Sequence, residues 1–600
     1  MATELASSGD LNWLQQRSIS RRQFLSTATA ACALGVLAAC SPSAPAAPAQ
    51  QQAAAPTQPA APNPTAAQAA PTIAQPGPTS VAPAQTVGVV AQPTQPTSNQ
   101  ANAAWAPAPV TFVYADSADV SHIDPALITD FWSFSVTRNT YDPLVEIDET
   151  KPALIPWLAT SWDTSPDGTK HTFHLRDGVL FTDGSKLDAD TVKLNLDRTL
   201  ELKQGPAYLI NNINDVTVAD PMTVVITTQA PDPFVPAHLV KVGIASGQAL
   251  KQHQTSSDPW AQDFFKDNIV GSGPYKLDSW QHGSQITLVK NDKWWNSWQP
   301  GSLDKIIIKV VAETAPRVQM IERGEVDFIN QWPPAEALRV GKLPNFHLGE
   351  FNTFDTEPIF YMYTLKPPFD NKQLRQAMQY AFDYKAMIAY YQGHAVTPTG
   401  PIPPDYPGGS KDLQPFAQDL EQAKALIQQS GVDVSSLTID FPLAGAGGDQ
   451  FEAGATIMQD ALNKLGMKMS IRKMPPAQWT ELYAKPETAG NMTNLIQSPF
   501  TLDPVQFLAF YYPDNFFNMA RFNNPAIVAA LDKIKTTVDA KQRDTLLNDV
   551  QKQIRDEAPC VWGCRPKTLV AVPDYIDGYV MQATDYRWSM NFKTIRLKAH

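Results

Sequence analysis

Phe173-His174-Leu175-Arg176-Asp177-Gly178-Val179-Leu180-Phe181-Thr182-Asp183-Gly184 carries two Asp-Gly turn signals within one short stretch. Glycine enters the left-handed backbone region without a steric cost, so Asp-Gly pairs mark chain reversals. Thr169 to Leu175, just after a further turn at Asp167-Gly168, alternates polar and apolar residues and predicts a half-buried strand feeding a hairpin. His171 and His174 lie three apart on that strand, hence on opposite faces, which argues against a metal pair.

Outward from the hairpin, both element types recur. Apolar runs predict strands at Val110 to Tyr114, Gln285 to Val289 and Lys305 to Val311. Helical spacing predicts a helix capped by Asp370, carrying Leu374, Met378, Ala381 and Ile388 and stopped by Gly393. A second carries Leu420, Ala423, Leu426 and Ile427 up to Gly431, and a third runs from about Phe451 to Leu465, with Gly466 as its stop before a strand at Lys468 to Arg472. This alternation predicts an α/β class, and roughly 490 residues from Val110 onward exceed a single core, so two or three lobes are expected.

Further short motifs follow in fixed order. Before the hairpin come Ile123-Asp124-Pro125, Tyr141-Asp142-Pro143-Leu144-Val145 and Pro156-Trp157-Leu158-Ala159-Thr160-Ser161-Trp162. After it come Gly271-Ser272-Gly273-Pro274-Tyr275, Lys290-Asn291-Asp292-Lys293-Trp294-Trp295, Arg323-Gly324-Glu325-Val326-Asp327, and Pro367-Pro368-Phe369-Asp370 leading to Arg375-Gln376-Ala377 and Ala381-Phe382-Asp383. In this order and spacing the chain resembles the extracellular solute-binding proteins of family 5, receptors for oligopeptides, dipeptides, nickel complexes and some glycosides. Thr191 departs from the family's usual Asp, while Asp188 keeps the chemistry of a helix cap.

The resemblance implies a periplasmic-binding-protein-like fold (type II, cluster C), α/β, with two lobes joined by hinge strands and an extra small subdomain. Lobe I is expected at 108–152, 265–355 and 565–600, the accessory lobe at 153–264 and lobe II at 356–564. Hinge crossings are expected near Asn352 to Thr356 and Pro559 to Arg565. Trp162, Trp295, Arg176, Gly273 and Pro274 read as scaffold.

In peptide-binding members a W-x-x-D-x-x-D-P segment offers an aspartate to the peptide's α-ammonium, since a desolvated charge needs an opposite partner. Here the segment reads Gln497-Ser498-Pro499-Phe500-Thr501-Leu502-Asp503-Pro504, which puts Phe500 at the anchor and Gln497 at the tryptophan. A free peptide is therefore not the expected cargo; Gln497 and Phe500 suit a neutral, peptide-like or glycoside-like solute. Asp503 closes the same segment. Asp116 and Ser117 at the end of the first strand, Trp332, Tyr361 and Tyr363 complete the expected ligand-binding set.

The N-terminus reads as an address. Ser20-Arg21-Arg22-Gln23-Phe24-Leu25 precedes an apolar run, Ala28 to Leu37, too short to span a bilayer, and resembles a twin-arginine signal. Leu37-Ala38-Ala39-Cys40 resembles a lipobox, so residues 1–40 are expected to be a signal peptide and Cys40 the lipidated residue of a membrane-anchored, extracellular or periplasmic lipoprotein. Ser41 to Gln100 holds thirteen prolines and no charged residue, a composition unable to build a core, and predicts a disordered tether over 41–107. Without residues 1–40, 44 basic side chains face 57 acidic ones, which excludes a nucleic-acid partner.

Catalytic signatures do not assemble. Gly445-Ala446-Gly447-Gly448-Asp449-Gln450 has Gln450 at the third glycine position of a dinucleotide loop, and no G-x-S-x-G, P-loop or H-E-x-x-H is present. Cys560 and Cys564 lie too far apart in extended chain, about 13 Å between Cα atoms, to be bridged without a tight turn, and both free thiols and a disulfide stay open. No cofactor and no metal site are expected. The chain is expected to be a monomeric, non-enzymatic importer component serving an ABC permease and ATPase complex. A secreted glycosidase-like enzyme is the alternative, because carboxylates are plentiful; a chemosensory binder is a third reading.

Overall fold

The structure is a computed structural model describing residues 104–444, 449–485, 488–515, 517–581 and 589–600. The signal peptide, Cys40, nearly all of the tether and the turn at Gly445 to Gly448 lie outside these described residues.

The first strand, β1 (Thr111–Asp116), runs two residues beyond its predicted end and so takes in Asp116. The chain then builds an antiparallel sheet from β2 (Ala159–Thr164), β3 (Lys170–Leu175), β4 (Ile213–Asp220) and β5 (Thr223–Thr228), in the order β2-β3-β5-β4. Along β3, His171, Phe173 and Leu175 are buried while Lys170 and His174 are exposed, so the two histidines do face opposite ways. Gly178 and Gly184 take φ of +78° and +87°, which any side chain would strain. The helix Ala189–Leu202 covers this sheet with Val192 and Leu196, and Asp188 caps it by accepting from the Thr191 amide.

Four strands then join β1: β6 (Tyr275–Gln281), β7 (Gln285–Lys290), β8 (Lys305–Val310) and β9 (Phe328–Ile329). The order is β9-β1-β8-β7-β6, with β1 parallel to both neighbours. The longer strands that follow are β10 (Phe346–Asn352), β11 (Thr356–Met362), β12 (Thr438–Ala444), β13 (Lys468–Met474), β14 (Met492–Gln497) and β15 (Cys560–Pro573). Strand β15 is 14 residues long and serves two partners. Its Lys567–Pro573 half pairs with β10, whereas Cys560, Val561, Trp562 and Cys564 pair with β11, which also pairs with β14. Arg565, at the change of partner, donates to the Thr353 carbonyl and pairs with Asp405.

The predicted helix from Asp370 to Gly393 is corrected in two ways. Asn371, not Asp370, accepts from the Leu374 amide and caps Lys372–Ala381. The chain then breaks at Phe382, and Asp383 caps a second helix, Tyr384–Tyr390, through the Ala386 amide. The other two predicted helices form at Leu420–Ser430, ended by Gly431, and Asp449–Lys464, ended before Gly466. Pro525–Thr536 and Ala540–Glu557 follow. Cys560 and Cys564 are free thiols, both buried.

The motifs converge on two buried carboxylates. Asp142 accepts from the Trp157 and Trp295 indoles at 2.7 and 2.9 Å and from the Ser272 hydroxyl at 2.8 Å, and the Arg176 guanidinium lies 4.4 Å from the Trp295 ring. Asp124 takes both arms of Arg198, at 2.6 and 2.5 Å. Around Asp142 alone, five separated sequence motifs thus meet as scaffold.

Candidate solute-binding site

Parallel strands in an open sheet end together, so side chains just past their carboxyl ends share one edge. Here β1 ends at Asp116 and β9 leads into Asn330, Gln331 and Trp332. The Asp116 carboxylate accepts from the Ser117 amide at 2.7 Å and from the Asn330 side-chain amide. Burial pushes this carboxyl up to about 7, although those hydrogen bonds and Arg317 pull the other way. The Ser117 hydroxyl accepts from the Trp132 indole at 2.9 Å.

Asn330 Oδ1 and Trp332 Nε1 are buried without partners among the described residues. A desolvated donor and acceptor left in this way mark a place where a polar guest, or water, is satisfied. Both residues line a small hollow with Tyr114, Gln331 and Tyr579. Gln331 holds φ at +53°, a left-handed conformation that a non-glycine residue adopts only when its neighbours impose it. Asn330 and Tyr579 were not among the predicted residues. Alternation of Asn330 with Trp332 along the chain leaving β9 was the available signal.

The second group of predicted residues clusters on β11 and after β14, at varied depth. Tyr361 is 1% exposed and Gln497 is 0% exposed. Gln497 spends its amide nitrogen on the Phe507 carbonyl, and Tyr361 sits in the core, where its hydroxyl is unpartnered among the described residues. Both are therefore enclosed rather than open to a solute. Tyr363 is also buried, with the Lys366 ammonium 5.0 Å from its ring.

Phe500 is half-buried in the loop that follows β14. Its amide and that of Thr501 both donate to Gln506 Oε1, at 3.1 and 3.0 Å, and Tyr406 donates to the Thr501 carbonyl. Asp503 points away from solvent: one oxygen accepts from the Val505 amide at 2.8 Å, and the other lies 3.1 Å from His238 Nε2. The carboxylate expected at a ligand is thus occupied within the protein. Among the described residues no group of three or more His, Cys, Asp or Glu is placed to hold a metal ion.

The family model for bacterial extracellular solute-binding proteins, family 5, middle region, matches residues 153–518. The chain belongs to this family. The probable D,D-dipeptide-binding periplasmic protein of Escherichia coli K12 is 27% identical over 483 residues, 78% of this chain and 91% of that protein. Heme-binding protein A of Haemophilus influenzae is 27% identical over 511 residues, covering 79% and 91%. Among solved structures, the ABC transporter-associated periplasmic binding protein of Helicobacter pylori, in complex with the peptide STSA, superposes with a TM-score of 0.67 at 25% identity, covering 82% of this chain and 98% of that one. The fold is accordingly the type II periplasmic-binding-protein fold. Among the described residues, no helix is long and apolar enough to cross a membrane.

Proposed function

We propose that this chain is the solute-capturing component of an ABC-type importer, closing two lobes over a small solute outside the cell and presenting it to a membrane permease and ATPase complex. The observation that carries this reading is β15, one strand serving two partners, which together with the β10–β11 crossing joins the two halves through a pair of extended segments. Such crossings absorb small dihedral changes while each half moves as a body, and a solute touching both halves favours the closed form. The strand pairing supports lobe I at 108–152, 265–355 and 565–600, an accessory lobe at 153–264 and lobe II at 356–564.

The cargo reading rests on Phe500. An ammonium enclosed beside a phenyl ring rather than a carboxylate would forgo a pairing whose loss costs about 3–5 kcal/mol, so the cargo is a peptide-like or glycoside-like solute without a free α-ammonium. Asp116, Ser117 and Trp332 face it from one lobe, Tyr363 and Phe500 from the other; Tyr361, Gln497 and Asp503 support the wall from behind. The chain is exported as a monomeric lipoprotein by its twin-arginine signal and held at the membrane by lipid on Cys40.

The test is a thermal-shift and turnover assay on purified protein with dipeptides, glutathione and neutral glycosides, together with mass spectrometry of any co-purifying solute. A binder raises the melting temperature with no product formed, because a ligand of the native state stabilises it by mass action. Product formation would replace the importer reading with an enzymatic one.

A further inference from the structure

The loop carrying Phe500 is anchored across the molecule by a residue that no sequence motif marks. His238 ends the short helix Val235–His238 in the accessory module, and its Nε2 lies 3.1 Å from Asp503 Oδ2, with both side chains 10% exposed. Asp503 is the residue through which the loop turns into the helix Val505–Leu508, since its other oxygen accepts from the Val505 amide. Three residues earlier stands Phe500, whose amide shares Gln506 Oε1 with that of Thr501.

The surrounding contact is close. Phe234 and Val235 share one apolar core with Val505, Phe507 and Leu508, and the Arg543 guanidinium lies 5.1 Å from the Phe234 ring. At Gly168 a Cβ would stand 2.4 Å from Val538 Cγ2, so the two surfaces meet without room for a side chain.

We propose that His238 is a positioning residue for the solute-facing loop Ser498–Pro504, fixing it through Asp503 from the accessory module. The proposal rests on the reading that this loop faces the cargo. A truncated imidazole leaves a buried carboxylate short of its partner and a neutralised one leaves it short of its countercharge, and either loosens the loop that presents Phe500.

The charged groups around the pair set its pH response. Asp232 lies on the imidazole's own module, while Lys535 and Arg543 approach Asp503 from Pro525–Thr536 and Ala540–Glu557, flanked by Asp532, Asp539 and Asp544. Burial alone would lower the imidazole; the hydrogen bond and charge of Asp503, with Asp232 behind, outweigh it and leave it raised. A raised histidine contributes its pairing fully below its ordinary value near 6.5 and loses it as pH rises through the raised one.

Hydrogen–deuterium exchange of the full chain, at about pH 6 and about pH 9 and corrected for intrinsic rates, reads the loop directly. The wild-type segment 498–507 should exchange roughly tenfold faster at the higher pH, while the β6–β7 hairpin stays unchanged. His238→Gln should show the fast rate at both pH values. Equal loop exchange in wild type and His238→Gln at both pH values would overturn the proposal, as would a pH-independent wild-type loop. Should His238→Gln also loosen β6–β7, Asp503→Asn decides, because its carboxamide still accepts from Val505: a pH-independent fast loop supports the proposal and a wild-type profile overturns it. If substituting Phe500 leaves solute binding unaltered, the cargo reading fails while the exchange result stands by itself.

Discussion

In the proposed reading Phe500 takes the position of a peptide-anchoring carboxylate, and its backbone amide donates to Gln506 Oε1. Phe500→Asp should therefore raise the affinity for a dipeptide with a free α-ammonium by at least about tenfold in isothermal titration calorimetry, since a charge-assisted hydrogen bond contributes about 1.5–3 kcal/mol. No gain would remove this position from the site. Asp116 makes a different prediction. With its carboxyl raised from 3.8 to about 7, the native state binds the proton more tightly than the unfolded chain, so stability falls as pH climbs between those values. Asp116→Asn keeps an acceptor for Ser117 and Asn330 and should flatten that decline, gaining up to a few kcal/mol above pH 7 and little near pH 4 in denaturant titrations. An unchanged pH profile would show that Asp116 is not the titrating group.

Between elements, the Arg198–Asp124 pair ties the helix Ala189–Leu202 to the segment after β1, and both side chains are 1% exposed. Asp124→Ala should cost about 3–5 kcal/mol by stranding a buried guanidinium, and the double variant Asp124→Leu, Arg198→Met should recover most of it, as read from denaturation midpoints. Elements of this kind were legible to different degrees. The hairpin around Gly178 was plain because Asp-Gly turns and period-two alternation are local signals. The break at Phe382 was not, because the apolar stripe from Leu374 to Ile388 runs on through it, and only the capping bond from Asp383 to Ala386 restarts the helix. At the site, the chain pattern brought Asp116, Ser117 and Trp332 to one sheet edge, but it carried no information on depth, and Tyr361 and Gln497 proved enclosed. The partner of Asp503 lies 265 residues away, beyond the reach of any spacing rule.

For the whole molecule, Cys40→Ser should shift the protein from the membrane to the soluble fraction, with continued membrane association counting against lipid anchoring. A cognate solute at 100 times its Kd should stabilise the native state by about 2.7 kcal/mol, visible as a higher melting temperature. The shared strand has a further consequence for how the molecule is made. Because β15 supplies the interior ribbon of a sheet order β10-β15-β11-β14, neither half can be finished until residues 560–573 have left the ribosome. Both halves thus wait on one distant segment, and a nascent chain arrested before Cys560 would display unpaired edges on both β10 and β11, each a template for mispairing.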